Sequence, residues 1–476
     1  MAPTPGSVPL RRDEQLSVIE PAVARVGLSA ALSRVVSVSA PGPDVSPSVF
    51  LRAAEGEARG FWARGEHWVA HLGVAAEVIA VPDTGGVDGR FQAVRSGASE
   101  LLGLGSPGEG GPRLYGGFAF RGDHRPTGLW EGFPTALFHL PSIEASGGEG
   151  PVTLRAHGLA REGEDPCQLE RELSERLEQF GRTLTRLADR GPTGEHPVDV
   201  DRSDSDRSVW EVAIAASLAA ISKASVSKVV LARTLDLRTE GLLHPVDVLE
   251  HLWDRNRGTH VFLFEPRPGT ALLGAAPETV ATLQHGAFQA TAVAGSIGVG
   301  TTPEERGALA ERLLSSLKDR EEQGIALDDM VARLTPLAED VEAQAQPHVL
   351  TLSRIQHLES EIKARIPEGT GVLDILEALH PTPAVCGLPR DAALEFLSRH
   401  EPFERGWYAG PVGWFDAAGN GVFAPALRCA IVRGNEWRLF AGAGIVAGSD
   451  AALEWEETGI KFEPVLRALE ASGARL

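Results

Sequence analysis

The chain has 476 residues, 43% of them hydrophobic and 23% charged. That balance fits an ordinary soluble globular protein and leaves room for one large domain or two to three smaller ones. Sixty-five acidic against 45 basic residues give a formal charge of −20, which argues against a surface that coats nucleic acid. Any bound anion must therefore be met by local cations or a metal. Three widely separated cysteines (Cys167, Cys386, Cys429) offer neither a disulfide framework nor a metal knuckle, and a reducing cytoplasmic setting is expected. Arg11 and Arg12 are followed by no apolar run, so no signal peptide is expected. The stretches Gly73–Val81 and Ala213–Ile221 are too short and too polar to span a bilayer.

Residues 1–20 are rich in Pro and Ser and are expected to be frayed and disordered. Phe61–Leu72, Glu77–Val81, Ala136–Leu140 and Val152–His157 read as strands. Leu102–Arg113 reads as a Gly-rich exposed loop, and Tyr115–Phe120 as a strand packed closely on a neighbour. Leu169, Leu173, Leu177, Phe180, Leu184 and Leu187 recur at helical spacing and predict a long amphipathic helix. The polar, acidic stretch 190–208 is the best candidate for a linker or an exposed crossover. The domain division expected is an N-terminal half over 21–205 and a catalytic region over 206–476.

Val209–Ser222 reads as a helix and Lys228–Arg233 as a buried strand, followed by short strands at Val261–Glu265, Ala271–Leu273, Thr279–Leu283 and Phe288–Ala292. Thr302-Pro-Glu-Glu305 is a capping box that opens a helix to about Lys318. Further helices are expected over Ile325–Leu337, Ser353–Ala364, Val372–Leu379 and Asp391–Ser398. A hairpin over Gly410–Val432, a strand at Trp437–Ala441 and a helix at Ala451–Leu469 complete the pattern. Runs of strands with inserted helices predict an α+β fold around a large, mostly antiparallel sheet.

Several residues could carry chemistry, and each has an ordinary structural reading beside the functional one. Glu454, Glu457 and Lys461 share one face of the last helix, as a salt-bridged surface would, or as a metal-ligand pair with a cation for a carboxylate. Glu321 and Glu322 alone resemble helix surface. Lys228 opens an apolar strand, either as an edge gatekeeper or as a base aimed into a pocket. Glu278 follows a Pro at a strand boundary and alone reads as a turn carboxylate. The glycines of Phe440-Ala-Gly-Ala-Gly-Ile445, and Gly295-Ser296, allow either tight packing or close approach of backbone to an anion. His380-Pro-Thr-Pro-Ala384 is a helix stop or a rigid wall, and His357 reads as a packing residue on a helix.

Taken in order, the strings SKVVLAR (227–233), LLGAAPE (272–278), AVAGS (292–296), KDREE (318–322), HPTPAVCGLP (380–389), GPVGW (410–414), LRCA (427–430), LFAGAGIV (439–446) and EWEETGIK (454–461) resemble the chorismate-utilising enzymes. The N-terminal half matches more loosely, through PRLYGGFAF (112–120). The resemblance implies a large, mostly antiparallel sheet folded into two halves with surrounding helices, and a Mg²⁺-dependent reaction on chorismate. It implies that Glu322 and Glu457 hold Mg²⁺, with Glu454 close by through water. Lys461, Arg428 and the backbone of Gly442, Ala443 and Gly444 would grip substrate carboxylates. Gly295, Ser296 and His357 would line the ring pocket.

Within that family three positions discriminate. Lys228 stands where water-using members have a base and ammonia-using members have Gln. Ala294 stands where aminodeoxychorismate synthases carry a nucleophilic Lys, and Ala384 where salicylate and anthranilate synthases usually have Thr. All three point to isochorismate synthases, whose product feeds menaquinone, siderophore or salicylate formation. In the implied mechanism Lys228 deprotonates a water that attacks ring C2, and Glu278 protonates the departing C4 hydroxyl. Burial favours the neutral form of both residue types, which suits an acid and a base working together. The alternatives are a salicylate synthase, which also eliminates pyruvate, and a silent chorismate-binding relative. Gln323, after the metal Glu, departs from the His of many relatives. Chorismate is the partner expected, with Mg²⁺ as cofactor, and no nucleic acid, membrane or glutamine amidotransferase; the chain is expected to be a monomer.

Overall fold

The computed structural model describes residues 32–80, 89–105, 111–189, 197–352 and 354–476. The stretch 1–20 and the centre of the Gly-rich loop over 102–113 lie outside them. The chain is α+β, and long antiparallel ladders dominate. One run of strands passes from Val198–Asp204 through Lys228–Thr239, Glu436–Ile445, Cys429–Arg433, Thr270–Ala276 and His260–Arg267 to the hairpin Arg59–Arg64 and His67–Ala80. From there Ala136–Gly147 leads into a second run: Arg113–Phe118, Pro411–Asp416, Gly421–Pro425, Ala281–Gln284, Ala287–Gly298 and Ile355–Arg365. Among the described residues the one parallel pairing is the short contact of Ala474–Arg475 with Val198–Asp199.

Helices cover the outer faces because their apolar stripes have no other place to go. Pro166–Ala188 buries Leu173, Leu177 and Leu184 against Leu32–Pro41 and Thr153–Arg161. Ala451–Ala471 lies on Glu436–Ile445, and Leu317–Leu334 lies on Ala287–Gly298. A core rich in aromatics, including Trp62, Phe133, Phe264, Trp407 and Phe440, joins side chains from both runs. Arg233, at the end of the SKVVLAR string, ties the last helix to its strand. Its Nε donates to Thr458 Oγ1 at 2.7 Å, and its guanidinium lies 3.7 Å from the Trp455 ring centre.

The structure corrects four expectations. Ser353–Ala364 is not a helix: Ile355–Arg365 is a strand. Ile355, Leu358 and Ile362 fall at helical spacing by accident, while the true inward face also carries Gln356 and Ser360, whose polarity hides the two-residue period. Phe61–Leu72 is a hairpin rather than one strand, turning at Gly65 with φ +61°. The polar stretch 190–208 contains the strand Val198–Asp204, whose outer side meets only the short Ala474–Arg475 among the described residues, so its polar composition is that of a largely exposed edge. Finally, the capping box at Thr302 is present, but its helix ends at Ser315. Ser316 then caps a new helix, Leu317–Leu334, which puts the KDREE string in its opening turns.

Within the second run the YGGF and GPVGW strings lie side by side, and Gly116 pairs with Gly413. A Cβ on Gly116 would stand 1.9 Å from the Leu137 carbonyl oxygen, and one on Gly413 equally close to that of Val422. Backbone cannot retreat as a side chain can, so Gly413→Ala is expected to destabilise the fold by about 1–3 kcal/mol or more. Gly307→Ala, on an open helix face with nothing near its Cβ, is expected to be neutral or stabilising by up to about 1 kcal/mol. Urea unfolding of both variants checks the contrast.

Candidate functional site

Lys228 is the first residue of its strand, and the ladder sets Val230 opposite Gly444 and Val229 opposite Ile445. The strand is flanked on both sides, and Gly387–Leu388 pairs with Lys228–Val229, so Lys228 is not an edge residue. It is 1% exposed. Its Nζ forms an ion pair with Glu322 Oε1 at 2.9 Å. Glu322 reaches it from the second turn of Leu317–Leu334, and Gly444 leaves the space: a Cβ there would stand 2.2 Å from Glu322 Oε1. Glu322 is buried, whereas its neighbour Glu321 is exposed.

Glu278, just past Thr270–Ala276, is 2% exposed, and its Oε1 has no hydrogen-bond partner among the described residues. Burial pushes its carboxyl up to about 8, with Lys228 opposing and the Glu359 charge adding. It is therefore largely protonated at neutral pH.

The last helix brings a second group. Glu457 accepts from Lys461 Nζ at 2.5 Å, and the same ammonium donates to the Gly442 carbonyl at 2.8 Å. Glu454 accepts from Lys318 Nζ at 2.9 Å. Burial, then the nearby Glu457, holds the Glu454 carboxyl above its ordinary value. Asp319 is also raised, by burial first and by Glu322 and Glu457 in addition, against the Ser316 hydroxyl and Lys318. Four carboxylates thus lie within electrostatic reach of one another. Their donors are all oxygens, which suits a hard dication such as Mg²⁺. Among the described residues no three such groups close on one point as a ready-made ligand shell; Glu322, Glu454 and Glu457 are each drawn to an ammonium.

The third group is a chain of polar contacts. Gly295 forms a bulge in the ladder between Ala287–Gly298 and Ile355–Arg365, with φ +68°. Its carbonyl accepts from His357 Nδ1 at 3.2 Å, and Ser296 Oγ lies 3.0 Å from the same nitrogen. Nδ1 must then carry the proton, and Nε2 accepts from Arg428 Nη2 at 3.0 Å. Burial, with Arg428 and Lys461 adding, holds His357 well below its ordinary value, so it is neutral. Arg428 itself is lowered to about 10 by burial, against the pull of Glu457 and Tyr408, and stays charged at neutral pH.

Lys228, Glu322 and Gly444 therefore meet directly, as do Glu457, Lys461 and Gly442, and as do Gly295, Ser296, His357 and Arg428. The charge of Glu457 links the groups through Arg428, Asp319 and Glu454. Glu278 feels Lys228 without touching it. Ala294 is buried beside the bulge, and Ala384 is half-buried in the segment that runs into Gly387–Leu388. Gln323 donates to Ser360 Oγ at 2.7 Å, tying the acidic helix to the His357 strand. Sequence reasoning missed Asp319, Lys318 as a partner of Glu454, and Tyr408. The Tyr408 ring stacks on Phe440 at 4.8 Å, and its hydroxyl lies 2.9 Å from where a Gly442 Cβ would sit. Its rarity was the available signal, since the chain has only two tyrosines.

A family model described as chorismate binding enzyme matches residues 22–470. The salicylate biosynthesis isochorismate synthase of Pseudomonas aeruginosa is 38% identical over 76% of this chain and 75% of its own length. Isochorismate synthase MenF of Bacillus subtilis is 32% identical over 75% of each chain. Among solved structures, MenF of Escherichia coli, described as a menaquinone-specific isochorismate synthase, shares the fold with a TM-score of 0.76 at 24% identity, over 93% of this chain and 97% of that one. Anthranilate synthase component I of Streptococcus pneumoniae also shares it, with a TM-score of 0.64 at 18% identity, over 94% and 93%.

The space above Gly444 can be tested directly. Gly444→Ala is expected to push the Glu322 carboxylate off Lys228 while shifting the unfolding midpoint by only a few degrees, about the effect of 1 kcal/mol in a protein of this size. The close neighbours of the new Cβ are side-chain ends rather than backbone. A crystal structure of the variant with the Lys228–Glu322 contact intact would contradict this.

Proposed function

The chain belongs to the family of chorismate-binding enzymes, and from that premise we propose that it is an isochorismate synthase, moving the ring hydroxyl of chorismate from C4 to C2 by way of water. The product would feed menaquinone, siderophore or salicylate formation. The observation that carries this reading is a buried lysine, Lys228, within electrostatic reach of a buried, largely protonated carboxylic acid, Glu278. The curated relatives described above, named for the same activity, support it.

Lys228 in its neutral form accepts a proton from a water that attacks ring C2. The ring double bonds shift, and Glu278 gives its proton to the C4 hydroxyl, which leaves as water. One water enters and one departs, so the change is an isomerisation. Arg428 and Lys461 are cations placed to hold substrate carboxylates, and the neutral His357 fixes the Arg428 guanidinium. Gly442 to Gly444, free of bulk, let the strand backbone approach the substrate. Glu322, Glu454 and Glu457 would hold Mg²⁺, which when bound supplies positive charge for a substrate carboxylate. Ala294 offers no nucleophile, so no covalent step is included.

Two outcomes test the assigned roles. Lys228→Gln keeps a donor for Glu322 but cannot act as a base; turnover is expected to fall by about 10²–10⁴-fold with the fold intact by circular dichroism. Turnover in H₂¹⁸O should place the label in the new C2 hydroxyl of isochorismate. Retention of the substrate's own oxygen at C2, or near-normal activity of Lys228→Gln, would overturn the mechanism.

The pH dependence has a definite sign. Glu278 must carry its proton, and it loses it as pH rises through about 8. The value of kcat/KM should therefore fall about tenfold per unit above that midpoint. Glu278→Gln should lower the rate throughout and remove that limb. A profile flat well above the midpoint would contradict the assignment.

A further inference from the structure

The proposed reaction gives work to Lys228 and Lys461 but none to Lys318, although all three ammoniums hold carboxylates of one cluster. Resting on that metal-dependent reading, we propose that Lys318 is a displaceable counter-cation: it neutralises Glu454 in the metal-free enzyme, withdraws when the metal binds, and so sets the metal affinity of the free enzyme.

The geometry separates Lys318 from the other two. Lys228 is enclosed, its side chain 1% exposed. Lys461 is anchored twice, to Glu457 and to the Gly442 carbonyl. Lys318 has one anchor and a 38% exposed side chain, whereas its partner Glu454 is 4% exposed. Glu454 stands in the first turn of Ala451–Ala471 with its carboxylate enclosed, so it has little room to move. The ammonium, on a flexible four-carbon stem with a path to water, is the member of the pair that can move.

The charges agree. Asp319, Glu322, Glu454 and Glu457 lie among the cations Lys228, Lys318, Lys461 and Arg428. Withdrawal of Lys318 leaves the Glu454 charge uncompensated, and a metal cation would offset it. A metal and Lys318 then compete for one carboxylate, and competition of this kind is a coupling between two bound states.

Calorimetric titration of the free enzyme with MgCl₂, without chorismate, tests this. Lys318→Met is expected to bind Mg²⁺ about tenfold more tightly than the wild type, within the usual range of coupling between sites. Lys318→Arg, which keeps the charge, is expected to stay close to the wild type. Without metal, Lys318→Met should unfold at a lower temperature, because a buried carboxylate has lost its cation, and saturating Mg²⁺ should close the gap. Lys318→Gln, with a polar end for Glu454, provides the same comparison if the Met variant does not fold. Affinity unchanged or weakened in the charge-removing variants, with the wild type binding Mg²⁺ normally, would overturn the role of Lys318 alone. Absence of Mg²⁺ binding in every variant and in the wild type would overturn the metal reading and this inference with it.

Discussion

Glu322 can meet Lys228 because residue 444 has no side chain. That contact depends on three elements distant in sequence: the strand that Lys228 begins, the strand that ends near Gly444, and the acidic helix from which Glu322 projects. The ladder between the two strands pairs ten consecutive residues on each, from Val229 with Ile445 to Arg238 with Glu436. A slip of one residue would turn Lys228 to the opposite face. Arg233 fastens the last helix to the same strand, and Gln323 fastens the acidic helix to the strand of His357. The rest of the sheet serves as a frame that holds these registers.

The electrostatic problem of the site follows from burial. A protein of net charge −20 would have to hold a dianionic substrate, and Lys228, Lys318, Lys461 and Arg428 gather positive charge where it is needed. Buried charges are costly unless paired, and the three buried or half-buried glutamates that face ammoniums are paired. Glu278 has no such partner among the described residues, and burial resolves the conflict by keeping its proton on. His357 resolves it in the opposite sense, by staying neutral and accepting from Arg428. Burial and the charges nearby thus set Glu278 apart from the glutamates that face ammoniums.

Much of the fold was legible because most elements declare their period. The helix over Pro166–Ala188 and the buried strand after Lys228 stand where their patterns put them. The failures have physical causes. The strand at Ile355–Arg365 hides polar Gln356 and Ser360 on its inner face, each satisfied by a hydrogen bond, so its apolar residues imitate a helix. The strand at Val198–Asp204 is a polar edge that looks like a linker. At the site, no local rule separates Glu322 from Glu321, or marks Lys228 as enclosed rather than gating an edge. Those distinctions arise only when Gly444 and the flanking strands arrive from elsewhere in the chain, so the ordered strings carried information that single residues did not. Lys318 and Asp319 lay inside one of those strings without a role of their own, because Glu454, the buried partner of Lys318, comes from the last helix.

The most direct measurement is to incubate the purified protein with chorismate and Mg²⁺, with a chelator control, and to resolve the products by chromatography. The account predicts isochorismate, formed only with the metal and approaching equilibrium with chorismate. Salicylate with pyruvate, or no conversion at all, would contradict it.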